Sequence, residues 1–136
     1  MKKVSEKACL VVLRTRNSEL QILAFHHPKA GIQLVKGSIE PGESPEQAAM
    51  RELFEESGLQ AQSAQWVTTV LDSDPGPTWH LVKCEIEDSK EKWEHACQDD
   101  GGQIFNFFWY QLAKQPDNQW LPIFHVVLSE IRRLNI

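Results

Sequence analysis

Apolar runs of strand length recur through most of the chain, separated by polar segments that contain turn-forming residues. The runs 8–13 and 20–25 flank a turn-like segment at 16–19 and predict a β-hairpin. Further strands are predicted at 32–35, 65–71, 79–86 and 104–112. The polar and charged stretch 87–102, which separates the last two of these strands, predicts a long surface loop.

A first helix is predicted between Ser44 and Gly58. Ser44 is a suitable N-cap, Pro45 fits the first helical position, and Gln47 completes a capping box with the serine. Gly58 predicts the end of the helix, because glycine readily adopts the left-handed conformation that follows many helices. The segment before this helix, around Gly37, is expected to be a loop.

A second helix is predicted over 121–134, where apolar residues recur at spacings of three and four. Pro122 suits its first turn, and Arg132 and Arg133 suit its negative C-terminal end. The apolar positions of this helix are Leu121, Phe124, Val127, Leu128, Ile131 and Leu134. Strands and helices follow one another without an internal repeat or a linker, so we expect a single α/β domain over 1–136.

Composition restricts the classes of partner. A chain of 136 residues with 41% hydrophobic and 24% charged residues is typical of one folded domain. Its net charge of −5 argues against duplex nucleic acid as the main partner, because phosphate backbones are bound by clustered positive charge. Small phosphorylated ligands remain compatible with that charge, since bound divalent cations reverse the local sign of a site.

Neither a membrane segment nor a disulfide framework is indicated. No apolar run approaches the roughly 20 residues that span a bilayer, and the start of the chain lacks the apolar core of a signal peptide. Cys9, Cys84 and Cys97 are odd in number, far apart and without a CxxC pair, which argues against disulfides and a structural zinc site. We therefore expect no membrane partner and a cytoplasmic location.

Three glutamates, Glu52, Glu55 and Glu56, fall close together on the first predicted helix, because side chains three and four residues apart share a face. The clustered carboxylates repel one another, and folding does not require that arrangement. A hard divalent cation such as Mg²⁺ or Mn²⁺, which takes oxygen ligands, would relieve the repulsion. The alternative is a solvated acidic face with a structural role only. The apolar residues expected to pack this helix on the sheet are Ala49, Met50, Leu53 and Phe54.

The segment 37–59 resembles the box of the Nudix hydrolase family. That box begins with Gly, five residues, Glu and seven residues. It continues with Arg-Glu, an apolar residue, one residue, Glu-Glu, one residue, Gly and an apolar residue. Every defined position of the box is matched in this chain. The matching residues are Gly37, Glu43, Arg51, Glu52, Leu53, Glu55, Glu56, Gly58 and Leu59. The resemblance implies an α/β/α sandwich around a mixed sheet, with the box forming a loop, a helix and a second loop.

The resemblance also implies an enzyme, a pyrophosphohydrolase that uses Mg²⁺ or Mn²⁺. Its substrate would be a nucleoside diphosphate linked to another moiety, such as a nucleoside triphosphate, a dinucleoside polyphosphate or a nucleotide sugar. Water would attack phosphorus, and the metal would hold the negative charge that develops. The implied metal ligands are Gly37, through its carbonyl, and Glu52, Glu55 and Glu56. The implied catalytic residues are Arg51, Glu52 and Glu55, with Glu43 helping to hold the carboxylates; the general base stays open.

Residues outside the box carry weaker indications of the substrate. Lys36, beside Gly37, is a candidate contact to a phosphate, and solvent exposure is its alternative. Trp93, within the polar stretch, is a candidate for stacking on a base. Phe105, Phe107 and Trp109 alternate along one strand, which favours core packing over base stacking.

Other features leave alternatives open. Glu94, Asp99 and Asp100 could add a metal ligand, or could be solvated acids of a loop. Pro75 lies at a position linked to ADP-ribose hydrolases, and a simple turn is its alternative. Val35 stands where several diadenosine polyphosphate hydrolases have proline, a departure from their pattern.

Two other classes of function compete with the enzyme. A Nudix-fold sensor would bind a nucleotide without cleaving it, and such modules usually lose carboxylates that this box retains. A purely structural acidic helix would bind no metal at all. The sequence leaves open whether the molecule forms a homodimer.

Overall fold

The computed structural model describes residues 5–72, 76–87, 90–98 and 102–136. Within them the strands are β1 (Glu6–Val11), β2 (Leu13–Arg16), β3 (Glu19–His27), β4 (Gly31–Gln33), β5 (Lys36–Ser38), β6 (Ala61–Leu71), β7 (Thr78–Ile86), β8 (Trp93–Ala96) and β9 (Ile104–Gln111). The helices are α1 (Pro45–Ser57) and α2 (Pro122–Leu134). Among the described residues, neither helix has both the length and the apolar character that crossing a bilayer requires.

The strands form mixed β-structure. One sheet has the strand order β5–β1–β7–β6, in which β1 and β7 run parallel and the other neighbours antiparallel. The other sheet has the antiparallel order β2–β3–β9–β8, and β4 also pairs with β3. The mixed character predicted for the sheet is therefore confirmed.

Alternate residues of the central strands pack beneath opposite helices. In β1, Ala8 and Leu10 belong to the core that contains α1 residues, whereas Cys9 and Val11 belong to the core that contains α2 residues. Strand β3 divides in the same way between the two cores. The result is the expected α/β/α sandwich, in which the sheets form the middle layer.

The turn of the predicted hairpin is confirmed, but the strand that precedes this turn differs from the prediction. The turn lies at Asn17 and Ser18, both with positive φ, and it joins β2 to β3. The apolar run 8–13 instead divides at Val12, because β1 lies in the other sheet beside β7. Residues 8–11 are buried on both sides of the sheet, as befits a central strand, whereas the hairpin arm is more exposed.

Two other predictions about strands need correction. The strand predicted at 32–35 is replaced by β4 and β5, which lie in different sheets, so Gly37 is in a strand rather than a loop. The surface loop predicted at 87–102 contains the strand β8, which pairs with β9 and places Trp93 opposite Phe107. Pro75, Asp99 and Asp100 lie outside the described residues.

Candidate active site

Helix α1 is fixed at its first turn by the predicted capping box. The N–H of Gln47 donates to Ser44 Oγ at 3.1 Å, and the N–H of Ser44 donates to Gln47 Oε1 at 2.9 Å. At the other end, Gly58 adopts the left-handed conformation with φ of 79°, and its N–H donates to the carbonyl of Phe54. Both predicted ends of the helix are confirmed, so the glutamates of α1 occupy a defined register.

The buried face of α1 differs from the prediction. Met50 and Phe54, which were expected to pack on the sheet, are 40% and 60% exposed. Glu52 and Glu56, four residues apart, are each only 6% exposed. Their burial has a physical reason: they do not enter the apolar core but face a cavity beside it, so these two glutamates point inward while Met50 and Phe54 point outward. The residues that do pack in the core are Ala48, Ala49 and Leu53.

Gly37 lies in direct contact with the carboxylate of Glu52. A Cβ atom added to Gly37 would stand 2.1 Å from Glu52 Cδ and within 2.4 Å of both carboxylate oxygens. Strand β5 holds Gly37 opposite Ala8 of β1, so the main chain at this point is part of a sheet. The absence of a side chain at position 37 is therefore what admits the carboxylate of Glu52.

Arg51 connects the two parts of the acidic segment. Its Nε and Nη2 donate to the two carboxylate oxygens of Glu43 at 2.8 and 2.9 Å, and Nη2 also donates to the carbonyl of Ser38 at 2.9 Å. Its Nη1 donates to Glu52 at 2.7 Å and to Glu55 at 3.2 Å. One guanidinium thus orients carboxylates from the helix and from the segment before it.

Charge pairing at this guanidinium shifts the protonation equilibria. Hydrogen bonds from Arg51 lower the pKa of the Glu43 carboxyl below its usual value, and a hydrogen bond from the N–H of Glu40 adds to the effect. The pairing with Glu43 in turn raises the pKa of Arg51. Both groups are therefore charged at neutral pH and hold the ion pair together.

A cavity of about 530 Å³ opens beside the buried glutamates. Of the residues predicted for the site, its walls include Lys36, Gly37, Glu52 and Glu56. Its walls also include polar side chains that the sequence did not indicate, chiefly Lys7, His27 and Gln33. Lys7 reaches the site because β1 pairs with β5 and its Nζ donates to Ser38 Oγ at 2.7 Å. No local sequence signal reports such a pairing between strands.

The other predicted site residues lie apart from this cavity. The side chain of Glu55 is 44% exposed and lines a neighbouring cavity with His95, although it shares Nη1 of Arg51 with Glu52. Trp93 and Glu94 line a third cavity, on the edge of the sheet formed by β8 and β9. One face of the Trp93 indole is stacked on Phe107, with ring centroids 5.1 Å apart.

Comparison with known proteins identifies the family. The model of the NUDIX domain matches residues 5–126, which is most of the chain. This chain belongs to the Nudix family. The matched range includes the box at 37–59 and both sheets that carry it.

Curated relatives share part of their length with this Nudix domain. An ADP-ribose pyrophosphatase of Haemophilus influenzae is 30% identical over 93 residues, which cover 63% of this chain and 43% of the relative. An NAD-capped RNA hydrolase, NudC, of Edwardsiella ictaluri is 38% identical over 75 residues, which cover 54% of this chain and 28% of the relative. The chain thus spans less than half the length of either relative over the matched regions.

Solved structures share the Nudix fold at low sequence identity. The NUDIX domain of Shewanella oneidensis NrtR, solved in complex with ADP ribose, superposes with a TM-score of 0.71 at 19% identity, covering 99% of this chain and 90% of that one. A Nudix hydrolase from M. smegmatis, RenU, superposes with a TM-score of 0.71 at 19% identity, covering 96% and 84%. These likenesses confirm the fold.

The donor set of the Nudix helix suits a hard divalent ion. Glu52 and Glu56 bring buried carboxylate oxygens to one cavity, next to the main chain of Gly37. Among the described residues, no three His, Cys, Asp or Glu side chains converge closely enough to hold an ion by themselves. The residues therefore fit an ion that keeps water and takes phosphate oxygens as its remaining ligands, which is the habit of Mg²⁺. Nudix hydrolases in general need a divalent metal.

Proposed function

We propose that this Nudix domain is a metal-dependent pyrophosphohydrolase that cleaves a nucleoside diphosphate linked to another moiety. The observation that carries the proposal is the burial of Glu52 and Glu56 against Gly37 in a polar cavity. Buried carboxylates are costly unless they are paired or bind a cation. Arg51 pairs with Glu52, and the cavity that Glu52 and Glu56 line leaves room for a cation and a phosphorylated substrate.

The substrate class we infer is a pyrophosphate that contains an ADP-ribose unit. The two curated relatives described above are hydrolases of ADP-ribose and of NAD-capped RNA, and the NUDIX domain of NrtR was crystallised with ADP ribose. ADP-ribose and NAD share adenosine diphosphate joined to a second ribose. A cavity of about 530 Å³ can hold the pyrophosphate and part of such a ligand.

The metal ligands that we propose are those that the Nudix box implies. Glu52, Glu55 and Glu56, with the carbonyl of Gly37, would hold Mg²⁺ or Mn²⁺. When bound, the ion would lower the pKa of water and stabilise charge on the phosphate oxygens. Arg51 fixes the directions of the carboxylates.

Lysines of the cavity serve the substrate. Lys7 and Lys36 line the wall near Gly37 and offer positive charge to the phosphates. Water adds to one phosphorus, the bridging P–O bond breaks with its electrons on the leaving phosphate, and a general base takes the proton that water loses. The products are two phosphate monoesters, one of them a nucleoside monophosphate.

The cysteines are consistent with a reducing compartment. Cys9, Cys84 and Cys97 are all buried. Burial raises the pKa of the Cys9 thiol well above its usual range and that of Cys84 to about 11. We therefore propose that these thiols serve packing, and that the protein acts in the cytoplasm.

The test of the function is the variant Glu56→Gln, which keeps the shape of the side chain and removes its charge. With Mg²⁺ and a panel of ADP-ribose, NADH, dinucleoside polyphosphates and nucleoside triphosphates, we expect turnover to fall roughly 100-fold or more, because a metal supplies several kcal/mol of charge stabilisation. Glu46→Gln makes the same change on the first turn of the same helix and is the control. Products are resolved by mass.

Two results would contradict the proposal. Unchanged turnover in Glu56→Gln would show that the Glu56 carboxylate is not required as a metal ligand. Saturable nucleotide binding by calorimetry, without product under either Mg²⁺ or Mn²⁺, would favour the nucleotide sensor instead.

A further inference from the structure

The C-terminal end of α1 carries an unfavourable distribution of charge. A helix end bears partial negative charge, and carboxylates there are destabilising. Glu55 and Glu56 both lie in the last turn of α1, which contains no basic residue. Arg51, one turn earlier, pairs with Glu55, whereas carbonyls at the end of a helix require partners from outside it.

Strand β8 supplies such partners through two side chains. Trp93 Nε1 donates to the carbonyl of Ser57 at 2.9 Å. His95 Nε2 lies 3.1 Å from the carbonyl of Glu55, and because a carbonyl only accepts, this nitrogen carries the proton. Residues two apart on a strand face the same side, so both donors point at the end of α1. They satisfy carbonyls that have no partner within a helix.

The last glycine of the box makes this approach possible. A Cβ atom at Gly58 would stand 3.1 Å from His95 Nδ1, which is tighter than most Cβ contacts. Gly58 also has a φ of 79°, a left-handed conformation that ends the helix. The same position thus ends α1 and gives His95 access to the carbonyl of Glu55.

Strand β8 is itself held in place by strand pairing and by ring stacking. It pairs antiparallel with β9, and the Trp93 indole is stacked on Phe107 with an angle of 9° between the rings. Phe107 is a buried residue of the core that also contains α1. The indole and the helix end are therefore held by the same core.

We propose that Trp93 and His95 are positioning residues, which set the end of α1 so that Glu55 and Glu56 stand correctly for the divalent cation. This inference rests on the proposed function, since it concerns the metal of that same site. It assigns to Trp93 a role in binding metal through the helix, in place of the base stacking predicted from its sequence context. Neither residue needs to touch substrate.

The test compares two tryptophans that make equivalent bonds. Trp93→Phe keeps a ring to stack on Phe107 but removes the N–H that reaches Ser57, together with part of the indole ring. Trp109→Phe removes an N–H that donates to the carbonyl of Lys90 at 2.8 Å, away from α1. Mn²⁺ affinity of the whole chain is measured by electron paramagnetic resonance without substrate, alongside thermal unfolding.

We expect Mn²⁺ to bind about tenfold more weakly to Trp93→Phe, the lower end of the loss seen when groups behind metal ligands are removed. Trp109→Phe should stay within about twofold of the wild type. A second pair separates the donor from the ring: His95→Gln keeps an N–H donor and should retain affinity, whereas His95→Leu should lose it. The rescue by glutamine is not expected of a residue that only fills space.

The outcomes distinguish the inference from the proposed function. If the wild type binds Mn²⁺ and Trp93→Phe binds it equally well, only the inference fails. Equal losses in Trp93→Phe and Trp109→Phe would also overturn it, because they would reflect general stability. A higher KM for nucleotide in Trp93→Phe, with unchanged Mn²⁺ affinity, would contradict the inference and support base stacking by Trp93. If the wild type binds no Mn²⁺, the proposed function fails and the inference with it.

Discussion

The Glu52 carboxylate lies against the Cα atom of Gly37, so that a Cβ atom there would overlap it at 2.1 Å. The contact joins the strand β5, before the helix, to the middle of α1. Arg51 makes a second connection between the same two regions, through Ser38 and Glu52. The position of the Glu52 carboxylate is therefore set jointly by Gly37 and by Arg51.

The first prediction concerns Gly37→Ala. The added methyl must displace Glu52, so we expect turnover to fall about tenfold or more and Mn²⁺ affinity to weaken. Gly42→Ala is the control, because nothing lies within 4 Å of a Cβ there. Its φ of 86° should cost the control about 1 kcal/mol of stability while its turnover is retained. Equal turnover in the two variants would contradict the contact.

The second prediction concerns Arg51→Lys. An ammonium group keeps the charge but cannot bind both oxygens of Glu43 while reaching Glu52. We expect the free energy of unfolding to fall by about 2 kcal/mol, the scale of hydrogen bonds to charged groups. Arg133→Lys, at an exposed pair with Glu130, should change it by less than about 0.5 kcal/mol. Chemical denaturation of both variants measures the difference, and equal effects would exclude a special role for Arg51.

The third prediction concerns pH. The pKa of Glu43 is lower in the folded protein than its usual value near 4.5, so protons bind the unfolded chain more readily. Its contribution to stability is fully present above that value and is lost as the pH falls through the folded pKa. We expect the stability difference between the wild type and Glu43→Gln to be constant near neutral pH and to shrink below about pH 4.5. A difference that grew on acidification would have the wrong sign.

The fourth prediction concerns the metal itself. Because Glu52 and Glu56 bring negative charge into one cavity, a divalent cation should bind the folded state preferentially. At a hundredfold excess over Kd, the gain in stability is about 2.7 kcal/mol. Mn²⁺ should therefore raise the Tm of the wild type, and a chelator should reverse the shift. Glu56→Gln should show little shift, whereas Glu46→Gln should behave as the wild type does.

The ends of α1 could be predicted because their signals are local. The side chains of Ser44 and Gln47 accept hydrogen bonds from each other's main-chain N–H groups. Gly58 adopts the left-handed conformation, which residues other than glycine rarely adopt. Each signal lies within a few residues of the structure that it specifies. The family box added Gly37, Glu52 and Glu56 as candidate residues, and all three line one cavity.

The inward direction of the glutamates could not be predicted from hydrophobicity. A pattern of apolar residues assigns Met50 and Phe54 to the core and charges to water, yet both are exposed, whereas Glu52 and Glu56 are buried. Ala49 and Leu53 are buried as predicted. The cavity that receives Glu52 and Glu56 is built by strands distant in sequence, so no local pattern describes it. The tertiary arrangement of α1 and these strands here overrides the usual preference for burying apolar residues.

Long-range pairing explains the remaining differences. Strand β1 leaves the predicted hairpin because β7, far along the chain, accepts it as a parallel neighbour. Trp93 and His95 lie on the short edge strand β8, within a sequence that is mostly polar and charged and therefore resembles an exposed loop. Their contacts to Ser57 and Glu55 become visible only once β8 is placed beside α1.

The alternation along β1 and β3 has a consequence for how the molecule unfolds. Each strand contributes successive side chains to opposite cores, so detaching either helix uncovers half of the side chains on both. Neither half of the sandwich is an independent unit that could melt while the other persists. We therefore expect unfolding to be cooperative, with the same midpoint whether it is followed by tryptophan fluorescence on the side of Trp93 or on that of Trp120.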